Sequence, residues 1–151
     1  MKNHMQQTLF ILFALCTLTF FSCNNKKSHQ YTKVEPAQTE HIEGSELSKL
    51  TLTEKAAKRI GIETVNVKEV SVSDTDVSLQ KMVPYSSVLY DTDGKTWVYT
   101  NPNPLVFIRQ EIKITTIEGR EAFLSEGPST GVAIVTQGAT ELLGTEYHVG
   151  H

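Results

Sequence analysis

Cysteine is nearly absent from this chain: only Cys16 and Cys23 occur among 151 residues. Everything after residue 23 must therefore fold without a disulfide, even in a compartment that would allow one. It also holds no thiol for nucleophilic catalysis. Long apolar runs are missing too. Residues 8–21 form the longest, short of the about twenty residues a helix needs to cross a bilayer. Methionine is scarce (Met1, Met5 and Met82), which leaves little thioether for a soft ion such as cuprous copper. Positive charge is not in excess, with 14 Lys and Arg against 17 Asp and Glu. The basic residues form no stripe interleaved with aromatics, so nucleic acid is not an expected partner. Finally, there is no Gly-x-Ser-x-Gly, no phosphate loop and no His-Glu-x-x-His. The carboxylates Glu111, Glu118 and Glu121 are spread over expected strands and turns, so neither an enzyme nor a cofactor is expected.

What is present begins with a recognisable opening. A short polar stretch with one lysine, Lys2, precedes the apolar residues 8–21, and Ser22-Cys23 follows. This order of parts reads as a signal peptide. Its end resembles a lipobox, with Phe20 and Phe21 where smaller residues are usual. Residues 1–22 are then expected to be cut away and Cys23 to carry a diacylglycerol thioether, for which cysteine is suited by its nucleophilic thiolate. Two or more acyl chains anchor stably where one does not. The expected location is the cell envelope, with the chain facing the periplasm and attached to a membrane through lipid on Cys23. Asn24 and Asn25 lack the aspartate that often retains lipoproteins at the inner membrane, so the choice of membrane stays open.

Without residues 1–22 the balance is thirteen basic against seventeen acidic side chains, because Lys2 is the only charge removed. Residues 23–49 are polar and without periodicity, the composition of a flexible tether. Order is expected from Leu50. A helix over about residues 53–60 has Thr53 as N-cap and Gly61 as its left-handed stop. Strand-like runs follow at residues 62–70, 83–90, 96–100, 105–117, 122–124 and 132–135. Asp91-Thr-Asp93-Gly94-Lys95 joins the second and third as a hairpin. Strands this short and regular predict a mainly β domain over residues 50–151, a small barrel or sandwich ending in a loose tail.

Three groups of side chains invite a functional reading. Asp91-Thr-Asp93-Gly94 begins like a calcium loop, but the twelfth position is Pro102 instead of a carboxylate, so a hairpin turn is expected. His148 and His151 are spaced to share a metal ion on a helix, yet Gly150 between them works against a helix. They rank as the weak candidates for a metal-handling lipoprotein. Tyr85, Tyr90, Trp97, Tyr99 and Phe107 crowd around the hairpin. Most should be core, and Tyr85, Trp97 and Tyr99 are the candidate docking aromatics, since such residues dominate interface hot spots.

Two blocks carry a resemblance. Leu50-Thr-Leu-Thr-Glu-Lys-Ala-Ala-Lys-Arg-Ile-Gly-Ile-Glu-Thr-Val-Asn-Val resembles the opening of periplasmic adaptor subunits of tripartite efflux pumps, the membrane fusion proteins. Val83-Pro-Tyr-Ser-Ser-Val-Leu-Tyr-Asp-Thr-Asp-Gly-Lys-Thr-Trp-Val-Tyr resembles the block where those proteins return to their membrane-proximal domain. Residues 112–117, the turn at Gly119, the loop 127–131 and residues 132–138 continue the order, so the likeness spans residues 50–143. Family members insert a long α-hairpin, a lipoyl-like domain and a β-barrel between the two blocks. Here only residues 71–82 stand there, a reach of at most about 40 Å. Gly127-Pro-Ser-Thr-Gly131 also replaces the family's Lys-Pro-Gly-Asp turn. The resemblance thus implies the membrane-proximal domain alone, an accessory module that docks on an inner-membrane transporter or a full-length adaptor. A structural envelope lipoprotein without a pump partner is the other reading left standing.

Overall fold

A computed structural model describes residues 34–71 and 79–148. The first strand, β1 (Ala37–His41), pairs antiparallel with β2 (Ser48–Leu52). This corrects the expected tether, which loses residues from 37 onward to the folded unit. β1 is an edge strand bonded only to β2, and its exposed faces need no alternation of apolar residues. Its backbone pairing with β2, the packing of Ala37 beside the buried cluster around Leu50 and the Glu40–Lys49 pair hold it.

Helix α1 (Glu54–Ile60) forms as expected. Thr53 accepts a hydrogen bond from the Ala56 amide, and Gly61 closes the helix at φ 74°. The chain then runs through β3 (Glu63–Asn66) and β4 (Lys68–Ser71). The expected strand over 62–70 is thus two strands, and Val67 between them is buried. The run over 83–90 is likewise divided. β5 (Leu79–Pro84) ends at the proline, a 3-10 turn follows at Tyr85–Ser87, and β6 (Leu89–Tyr90) begins the hairpin. β7 (Thr96–Asn103), β8 (Val106–Glu118), β9 (Glu121–Glu126) and β10 (Ala133–Gln137) complete the strands. The loose tail is corrected in part: Ala139–Glu146 is a second helix, α2, and Leu142 within it is fully buried.

The strands run in the order β3-β10-β7-β8-β9-β5-β4, so the fold is mainly β and curls as a small barrel does. β8 makes the curl possible. Its first half pairs with β7 and its second with β9, with register shifts around Ile114; such bulges bend and twist a strand. The two ends of the order, β3 and β4, are successive pieces of one stretch. At the join Val67 donates its amide to Val132 and accepts from Gly131, both at 2.9 Å.

β7 and β8 alternate their side chains between two cores. Val98 and Ile112 point inward and meet Val67, Val83, Leu124 and Ile134. Tyr99 and Phe107 point the other way, and pack with Leu50, Leu52, Val135 and the helix residues Ala56 and Leu142.

Candidate docking surface

The five crowded aromatics divide between these surroundings. Tyr99 and Phe107 are buried, at 0% and 2% exposure. Tyr99 therefore leaves the docking set. It stands opposite Arg109 in the β7–β8 register, on the face that α2 covers. Its hydroxyl donates to Glu146 Oε2, and burial first, then that bond, pushes its pKa well above the ordinary tyrosine value.

Trp97 is half-buried and already occupied. Its Nε1 donates to Asp91 Oδ2 at 2.8 Å, and the Arg109 guanidinium sits 4.4 Å from its ring centre. Arg109 also faces the Tyr147 ring at 5.3 Å. Such stacking suits a planar, weakly hydrated cation. Glu146 neutralises it: Nε lies 3.3 Å from Oε2, off the angle of a hydrogen bond, and Nη2 reaches Oε1 at 3.4 Å. The Ser48 amide supplies a further donor to Oε1 at 3.3 Å. Arg109 and Glu146 are only 4% and 7% exposed, so this is a buried pair; the carboxylate also accepts from Tyr99 and Ser48, while Arg109 Nε meets it by charge alone. The chain Asp91, Trp97, Arg109, Glu146 braces the hairpin turn, the sheet and α2 against one another.

Asp91 belongs to that brace and to its own turn. Oδ1 accepts from the amides of Asp93 at 3.0 Å and Lys95 at 2.8 Å, and Gly94 takes φ 80°. The Trp97 bond, with those two amides behind it, lowers the Asp91 pKa. The hairpin reading thus stands in place of the calcium one. Among the described residues no set of three or more His, Cys, Asp or Glu side chains is placed to hold a metal ion. His148 ends the described chain, with φ 53°; His151 and Cys23 lie outside it.

Of the five aromatics around the hairpin, Tyr85 and Tyr90 are the exposed ones, at 40% and 52%; Tyr147, on Arg109, is exposed as well. The Tyr85 and Tyr90 hydroxyls meet at 3.3 Å, and that bond is the main cause raising the Tyr90 pKa. Tyr85 is held by the 3-10 turn, with its amide bonded to the Arg120 carbonyl at 2.8 Å and Ser87 Oγ to the Pro84 carbonyl at 2.7 Å. Tyr90 stands opposite Thr96 on a two-residue edge strand. Two rings on short, well-bonded segments offer contact area at little further entropy cost. Tyr90 was in the aromatic cluster but not singled out. Its place directly before the Asp91 turn, where a strand edge meets solvent, was the available signal.

At the other end of β7, the end of α1 and the β7–β8 loop enclose a cleft of about 450 Å³, lined by Lys58, Glu63, Thr64, Asn101, Leu105 and Phe107 among others. Leu105 takes φ 64°, rare for a leucine, and its carbonyl accepts the Leu52 amide at 2.9 Å. Asn101 Nδ2 bonds the carbonyls of Asn103 and Val106 at 2.7 and 2.9 Å and so pins the loop. Among the described residues no helix is long and apolar enough to cross a membrane. No family model, curated protein or solved structure matches the chain.

Proposed function

We propose that this protein is a lipid-anchored module of the cell envelope that docks on an inner-membrane transporter or a full-length periplasmic adaptor. The observation that carries the reading is the exposed pair Tyr85 and Tyr90, fixed on a rigid corner of a small barrel. Tyrosine is enriched where proteins bind one another, because its ring adds apolar area and its hydroxyl a polar handle. The mainly β fold agrees with what the adaptor resemblance implies, and the lipobox-like Ser22-Cys23 supports attachment through Cys23.

Cross-linking in intact cells with a tagged, lipidated chain tests the proposal. Capture of a transporter or full-length adaptor is expected, and Tyr85→Ala with Tyr90→Ala should abolish it while the chain stays folded. Capture of abundant outer-membrane proteins alone, unchanged by the double substitution, would overturn the docking role.

A further inference from the structure

We propose that the basic face of α1 rests on anionic phospholipid headgroups of the membrane holding the Cys23 lipid, and so turns the tyrosine end of the barrel away from the bilayer. The proposal builds on the lipid anchor.

Residues 24–36 separate Cys23 from β1, which starts at Ala37. Thirteen residues reach at most about 43 Å. The tether enters the fold beside α1. The Pro36 carbonyl accepts both the Thr53 amide at 3.0 Å and Thr53 Oγ1 at 3.3 Å, and Thr53 is the N-cap of α1. The membrane is therefore within reach of this helix, and charge decides whether the helix faces it.

Lys55, Lys58 and Arg59 follow on α1 and are all exposed. Their spacing of three and four places them on one helical face. No ion pair engages them among the described residues. Elsewhere the cations are committed or dispersed: Lys49 pairs with Glu40 and Lys113 with Glu126, while Arg109 is buried. The described residues hold ten basic and fifteen acidic side chains, so most of this surface is repelled by an anionic membrane. A repelled body with one basic face beside its tether turns that face inward. Each basic residue near such a surface contributes about 1 kcal/mol, or about fivefold, within a screening length of about 8 Å.

Orientation follows from β7. Lys58 lines the cleft with Asn101 and Leu105, near the end of that strand. Tyr90 pairs with Thr96 at its start. Eight residues at about 3.3 Å separate the two ends by roughly 25 Å.

The lipidated chain contains no cysteine besides Cys23, so a single introduced thiol can carry a fluorophore. Glu54→Cys marks α1 and Asp93→Cys the hairpin tip; both positions are exposed. Energy transfer to a headgroup-attached acceptor would be read in phosphatidylcholine vesicles with and without phosphatidylglycerol. Transfer at position 54 should exceed that at 93 only with phosphatidylglycerol. Lys55→Gln, Lys58→Gln and Arg59→Gln together should erase the difference, with folding checked by circular dichroism. Equal transfer at both sites, or a difference that survives the triple substitution, overturns the proposal. The mass of the membrane-purified chain reports the lipid separately. A missing lipid sinks the anchor and the orientation together; a lipidated chain with equal transfer sinks the orientation alone.

Discussion

On the inner face of β7 and β8, Val98 and Ile112 join a cluster of valine, isoleucine, leucine and alanine. On the outer face, Tyr99 and Phe107 share their surroundings with Arg109 and Glu146. The same two strands thus support one core that is non-directional and another that depends on a charge finding its partner. An apolar cluster loses stability in proportion to the atoms removed. A buried ion pair loses it when either member goes, because the survivor is left charged without water. The outer core is therefore the more brittle, although Leu50, Leu52, Phe107, Val135 and Leu142 are buried in it too.

The largest expected effect tests that brittleness. Glu146→Ala strands the Arg109 guanidinium and should cost about 3–5 kcal/mol in urea unfolding, while Arg109→Met with Glu146→Leu should recover most of it. Equal losses in the single and double variants would mean that the pair carries no special penalty. Next, Ile112→Val inside the barrel should cost about 1 kcal/mol, a graded loss; a loss as large as that of Glu146→Ala would erase the contrast. The smallest effect lies at the brace's exposed end. The folded-state pKa of Asp91 is lowered, chiefly by Trp97, so its contribution is present above the unfolded carboxylate value of about 4 and fades as pH falls through the lower folded value. Asp91→Asn should flatten the acid limb of a melting-temperature profile below about pH 4. An unchanged limb would detach Asp91 from the brace.

Local chemistry was readable from the chain: the Thr53 and Gly61 caps, the Asp91 turn and the alternation along β8 each depend on neighbours in sequence. The misreadings share a cause. β1 has the composition of a tether because an edge strand with one small residue, Ala37, on the core needs little apolar pattern, and α2 is hidden because Gly144 weakens its propensity while burial of Leu142 and Ala139 supplies its stability. Missing α2 had a cost at the candidate site. Trp97, Tyr99 and Arg109 share one face of the sheet, and without the helix that face looks open. The Arg109–Glu146 pair spans 37 positions, and nothing local distinguishes those two charges from the solvated ones around them. Tyr85 stood out only through the density of aromatics around the hairpin, since the break after Pro84 is not marked in a run read as one strand over 83–90.

β10 has a consequence in time. It comes late in the chain, yet Ile134 sits in the inner core and Val135 in the outer one. Its partners on β3 lie some seventy positions earlier, Val135 opposite Thr64. A chain still emerging, or cut before residue 133, therefore lacks part of both cores, including Ile134 beside Val67. Folding with so many distant pairings is expected to take milliseconds to seconds. It should proceed as one event, with no stable half-folded state in which either core is complete.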